Sequence, residues 1–274
     1  MSSQHDADLV FAGSIPDLYE QYLVPLVFQP YADDLANRIV DLRPATVLEL
    51  AAGTGVVTRV LATQLPATSA ITATDLNQPM IDHAAAVGTA RPVTWRQADG
   101  GDLPFEDGIF DTVTCQFGVM FFPDRHRAFT EMHRVLRPGG SAVFNVWDHI
   151  EHNEFEATIT DALATMFPDD PPLFLARTPH GYHDTALIRA ELVAAGFDSL
   201  LTIDTVPARS LAASCTDPAI GFCQGTPLRN EILSRNPESL ADATNVAARL
   251  IADRFGETDI DGALRAHVVT ARKA

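Results

Sequence analysis

Residues 46–55, Thr-Val-Leu-Glu-Leu-Ala-Ala-Gly-Thr-Gly, constrain this chain more than any other stretch. Thr46 to Leu50 are β-branched or apolar around one charge, Glu49. Such a run suits a parallel strand covered on both faces, with a single carboxylate kept for something other than packing. Gly53 and Gly55 follow where that strand has to turn sharply into a helix. Glycine has no Cβ, so it enters positive φ and lets a ligand approach the backbone. A strand, a glycine turn and a helix N-terminus together make a pocket of the nucleotide-binding kind.

The spacing narrows the ligand. A dinucleotide fingerprint reads G-x-G-x-x-G, its last glycine packing helix on strand. This chain reads Glu49-x-Ala51-x-Gly53-x-Gly55, and Thr58 stands where the last glycine would be. A carboxylate as close as Glu49 would repel a pyrophosphate and attract an ammonium or sulfonium group. S-adenosylmethionine carries both cations, with a ribose and an adenine. The next strand, 69–75, ends in Asp75, 20 residues beyond Gly55, where an acid accepts hydrogen bonds from ribose hydroxyls. A third strand, about 93–98, ends in Asp99-Gly100, where an acceptor can take the adenine amino group. Singly, these residues have plainer readings: turn glycines, a helix cap at Asp75, loop acids at Asp99 and Asp102. Their order along the chain favours the joint one.

Five motifs in order then resemble the class I S-adenosylmethionine-dependent methyltransferases. They are Glu49-Leu-Ala-Ala-Gly-Thr-Gly55, Thr74-Asp-Leu-Asn-Gln-Pro-Met80, Asp99-Gly-Gly-Asp-Leu-Pro-Phe105, Phe110-Asp111 and Arg134-Val-Leu-Arg-Pro-Gly-Gly140. The resemblance covers about residues 30–150 and is to the branch with the ubiquinone/menaquinone C-methyltransferases and many small-molecule enzymes. It implies a Rossmann-like, doubly wound α/β fold with a seven-stranded sheet whose last strand is antiparallel. It implies S-adenosylmethionine as cofactor, with Glu49 near the amino end of the methionine moiety and the turn residues Ala51, Gly53 and Gly55 beneath it. Asp75 would hold the ribose, Leu76 and Met80 would flank the adenine, and Asp99 and Gly100 would lie at its edge. Gln116 and Phe117 would face the methyl position.

Charge and cysteines bound the partners. Nineteen basic and 36 acidic residues give a formal charge of −17, which argues against a nucleic-acid substrate. The residues after the fourth strand, Cys115-Gln-Phe-Gly-Val119, lack the Asn/Asp-Pro-Pro-aromatic motif of enzymes that methylate amino groups of DNA. No apolar run reaches the length of a membrane span, and the first residues lack the pattern of a signal peptide. Cys115, Cys215 and Cys223 have no C-x-x-C spacing and suit a reducing cytosol. The expectation is a cytosolic protein acting on a small, apolar or aromatic acceptor, with no metal, nucleic-acid or membrane partner. Its oligomeric state stays open, a homodimer being one option.

Along the chain, 1–32 reads as an aromatic, helical lid containing Phe11, Tyr19, Tyr22, Phe28 and Tyr31, with Tyr22 a candidate cofactor contact. Residues 33–150 read as the cofactor-binding core, with Leu136–Gly140 as the turn that ends a helix. A substrate-side helical segment and sixth strand occupy 151–209, a helical insertion 210–262, and the last strand 263–274. No motif fixes a catalytic base. His149, His152 and His183 are weak candidates, from the H-x-x-H pairs His149/His152 and His180/His183, against the plainer reading of surface or capping histidines. The function expected is methyl transfer to O, C or N of a small molecule. The alternatives are a protein that keeps the cofactor site for other work (a cyclase, a decarboxylase or a regulatory binder) or an NAD(P)-dependent oxidoreductase.

Overall fold

The computed structural model of the chain describes residue 13 and residues 15–274; Phe11 lies outside them. Its elements in order are α1 (Gln29–Leu42), β1 (Thr46–Leu50), α2 (Val56–Gln64), β2 (Ala70–Asp75), α3 (Gln78–Val87), β3 (Thr94–Gln97), β4 (Phe110–Gln116), α4 (Arg125–Val135) and β5 (Leu136–Trp147). There follow α5 (Glu154–Met166), α6 (Thr185–Ala194), β6 (Leu200–Ser214), α7 (Thr216–Gln224), α8 (Leu228–Arg235), α9 (Leu240–Phe255) and β7 (Thr258–Arg272). The chain divides into two compact units. A sheet unit holds 31–146, 182–206 and 266–274; a helical unit holds 15–30, 147–181 and 207–265.

The sheet has seven strands in the order β3-β2-β1-β4-β5-β7-β6. β1 pairs in parallel with β2 and β4, and β4 with β5, so the alternating strands and helices wind both ways from β1. The centre strands are apolar because both faces are covered: Val47, Leu48, Leu50, Val113, Cys115, Val143 and Phe144 are buried. The strand ends are kept level by side chains. The Asp111 carboxylate accepts the amides of Ala45 and Thr46 at 2.6 and 2.9 Å and pairs with Arg137. Arg134 donates to the carbonyls of Leu103 and Phe105 and pairs with Glu131 and Asp107, and these acids hold its guanidinium above the ordinary range. The Phe110-Asp111 and Arg134 motifs thus anchor the scaffold.

The stretch Leu136–Gly140, expected as a turn, already belongs to β5. Phe110 pairs with Leu136 and Thr112 with Ser141, so residues 137–140 bulge out of an unbroken strand. Gly139 (φ 77°) sits in that bulge, and its amide donates to the carbonyl of Lys273. β6 and β7 also run longer than sequence periodicity suggested, to Ser214 and from Thr258. Burial keeps alternating along both past those limits, so the paired strands carry on into residues whose small and polar side chains give a weak sequence period.

In the helical unit, the segment after the single turn Ile15–Leu18 is a π-helix, Tyr19–Phe28, with Pro25 inside it. Proline lacks the amide of an α-turn and its ring strikes the preceding turn; the wider π turn, closed by the Gln29 amide on the Val24 carbonyl, accommodates it. The π-helix lies against α7 at Gly221, where a Cβ would stand 2.8 Å from a Leu23 methyl. Phe155 packs on Phe255 with ring centroids 5.1 Å apart, and Arg254 reaches Thr158 and Asp161, so α5 and α9 are joined by an apolar contact and a polar one.

Candidate active site at the carboxyl edge of the sheet

The strand register brings the expected residues together. Glu49 pairs with Ala73 on β2 and Thr114 on β4, and Asp75 pairs with Gln97 on β3. The carboxyl ends of β1, β2 and β4 therefore lie side by side. β1 ends in three positive-φ positions: Ala51 (49°), Gly53 (56°) and Gly55 (85°). Ala51 has no glycine's freedom, so its left-handed backbone is strained. Gly55 precedes the first residue of α2, and a Cβ there would meet Trp95 at 3.0 Å and Ala84 at 3.2 Å.

The two acids have different surroundings. Asp75 accepts the amides of Gly53 at 2.9 Å and Asn77 at 2.8 Å, one on each oxygen. It therefore locks the glycine turn to the end of β2 and keeps further lone pairs for a ligand hydroxyl. Burial pushes its carboxyl up, against those amides. Glu49 is 1% exposed and accepts one hydrogen bond, from the Thr58 hydroxyl at 2.6 Å. Among the described residues no cation lies within ion-pairing distance of it. Loss of water pushes its carboxyl up to about 8; the Thr58 hydroxyl and Arg59 oppose this and Asp75 adds to it. Thr58, at the place of a dinucleotide fingerprint's last glycine, thus serves the carboxyl.

Beyond Asp75, Leu76 is 46% exposed while Met80 is buried in α3, so only Leu76 offers an open apolar face. The Gln97 amide binds the Leu76 carbonyl at 2.8 Å, tying β3 to this edge. Asp99 accepts the amide of Gly101, and Gly100 is covered by the Phe122 ring, 2.8 Å from where a Cβ would stand. Gln116 ends β4, and Phe117 follows in the left-handed region at φ 50°.

Tyr22 belongs to the helical unit, with its Cβ near Gly221. His149 is half-buried and His152 exposed there, and His183 is half-buried in the sheet unit. His180 is buried in the helical unit; its Nδ1 donates to the Asp148 carbonyl at 2.8 Å and its ring lies 5.9 Å from Trp147. Among the described residues no group of three His, Cys, Asp or Glu side chains is placed to hold a metal ion, and no helix is long and apolar enough to cross a membrane. The three cysteines are free, and burial pushes the Cys115 and Cys223 thiols up, Cys223 to about 12. Sequence reasoning missed Asn145, whose signal was one amide in the apolar run Ala142-Val-Phe-Asn-Val-Trp147.

Comparison with known proteins agrees with this geometry. Residues 48–144 match the family model described as a methyltransferase domain. The demethylmenaquinone methyltransferase of Thermus thermophilus is 40% identical over 113 residues, 39% of this chain and 51% of that protein. The ubiquinone/menaquinone biosynthesis C-methyltransferase UbiE of Ralstonia pickettii is 28% identical over 166 residues, 56% of this chain and 68% of that one. The chain thus spans about half the length of the first curated relatives it matches. Among solved structures, the [4+2]-cyclase SpnF shares the fold with a TM-score of 0.54 at 19% identity, over 90% of this chain and 82% of that one. Matched motifs, sheet order and carboxyl-edge acids converge: residues 48–144 carry a methyltransferase domain, similar in sequence to the ubiquinone/menaquinone C-methyltransferases.

Proposed function

We propose that this protein transfers a methyl group from S-adenosylmethionine to a small apolar or aromatic acceptor, at oxygen or carbon rather than nitrogen. One observation carries the reading: a strained glycine turn after β1, locked by Asp75, beside a buried carboxyl that has no cation of its own. The residues suit the cofactor. Asp75 retains lone pairs for ribose hydroxyls, Leu76 offers a face for adenine, and Glu49 supplies negative potential for the ammonium and sulfonium groups. When bound, S-adenosylmethionine supplies an electrophilic methyl group. The chain's own part is to orient the reactants and exclude water. Phe117 is buried, and Phe122 covers Gly100, so this edge is walled by aromatic rings. The acidic chain and its free cysteines support a cytosolic setting.

Isothermal titration tests the cofactor. Wild type is expected to bind S-adenosylmethionine, and Asp75→Ala to bind it at least roughly tenfold more weakly, since a hydrogen bond to a charged group is worth about 1.5–3 kcal/mol. No binding, or affinity unchanged in the variant, sinks the assignment. The second reading, a cofactor site kept for other chemistry, is favoured by the fold shared with a cyclase. Incubation with S-adenosylmethionine and metabolite extract separates them, because only methyl transfer yields S-adenosylhomocysteine.

A further inference from the structure

Two turns of the sheet unit carry strain at the same edge. Ala51, after β1, and Phe117, after β4, both hold left-handed φ, 49° and 50°, without being glycine. They interlock at Gly118, where a Cβ would stand 2.5 Å from the Ala51 Cβ and 2.7 Å from the Cys115 sulfur. A chain keeps such conformations only where its surroundings over-determine them.

What holds Phe117 is a side chain of β5. Its amide donates to Oδ1 of Asn145 at 2.9 Å and more weakly to the Asn145 carbonyl at 3.3 Å. Asn145 pairs with Gln116 in the β4–β5 register and is fully buried. The Phe117 N–H needs an acceptor, which assigns Oδ1 to it and turns Nδ2 the other way. Nδ2 finds no partner among the described residues. A buried amide satisfied on one side only is worse for stability than an apolar side chain of the same size. Packing therefore does not account for an asparagine here, and the grip of Oδ1 on a strained backbone does.

We propose that Asn145 is a positioning residue: it holds the Gln116–Gly118 turn in the conformation that completes the cofactor site. The inference rests on the cofactor reading above. It acts through the Phe117 backbone, and its chemistry is acceptance of one amide proton.

The test compares cofactor affinity with stability in Asn145→Leu, which keeps the volume and removes both polar atoms. Thermal unfolding without ligand is expected to show a melting temperature within a few degrees of wild type, because removal of the orphaned Nδ2 offsets the acceptor lost by the Phe117 amide. Titration calorimetry with S-adenosylhomocysteine is expected to show at least roughly tenfold weaker binding, the order of effect of releasing one strained turn. Asn145→Asp, which keeps an acceptor oxygen on the Phe117 amide, is expected to recover most of the affinity. Should Asn145→Leu not fold, Asn145→Ala replaces it, compared with Val146→Ala, another buried truncation in β5. Val146→Ala is expected to lower stability and leave affinity unchanged. Unchanged affinity in Asn145→Leu or Asn145→Ala, or an equal loss in Val146→Ala, overturns the proposal. Absence of binding in wild type overturns the cofactor reading instead.

Discussion

Glu49 shows how much one position can decide. In a strand it reads as a polar interruption; in the fold it is a carboxyl sealed from water with one hydroxyl for company. Its ordinary value is 4.5 and burial pushes it to about 8, so the folded protein keeps its proton where the unfolded chain has lost it. A group raised on folding contributes stability below its unfolded value and loses it as pH rises to the folded one. Wild type should therefore lose stability relative to Glu49→Gln between about pH 4.5 and 8, by a few kcal/mol at most. Thermal unfolding across that window checks this; a constant difference refutes it. A bound cation reverses the balance, because it favours the carboxylate. Affinity for S-adenosylmethionine should thus rise several-fold from about pH 5.5 to 6.5, more than a unit below the pKa of an α-amino group. In Glu49→Gln it should stay flat, as titration calorimetry would show.

At the scale of elements, the strands and helices of the core were legible because both hydrophobic period and punctuation agree on them. β1, β2 and β3 end within a residue or so of their expected limits. Two features were not legible. Residues 136–140 look like a breaker, Pro-Gly-Gly, yet pairing with β4 keeps the strand going around a bulge. The aromatic segment after Leu18 looks like an ordinary helix, yet Pro25 widens it to a π-helix. In the first, pairing with a distant strand overrides a local rule; in the second, one proline inside the segment changes the turn. The meeting of the β1 and β4 turns at Gly118 is another long-range contact. Gly118→Ala should cost roughly 1–3 kcal/mol in chemical denaturation, because the added methyl meets Ala51 and Cys115 and the turns have to separate. A change under about 0.5 kcal/mol would mean that the two turns move freely.

For the whole molecule, a formal charge of −17 over 274 residues is a self-repelling charge distribution. Raising salt from about 20 to about 200 mM should raise the melting temperature by a few degrees through screening; a fall would show that local ion pairs outweigh the repulsion. The sequence by itself determined the sheet unit and the kind of ligand, since Glu49, the glycine turn, Asp75 and Asp99 act through local spacing. Only the tertiary structure decided how those residues are held. It set Thr58 on Glu49, Asp75 on the Gly53 amide and Asn145 on the Phe117 amide. It also gathered 15–30, 147–181 and 207–265 into one helical unit. The reason is physical. Period and turn chemistry are properties of neighbours in the chain, whereas burial, proton affinity and strain depend on what the fold brings from far away.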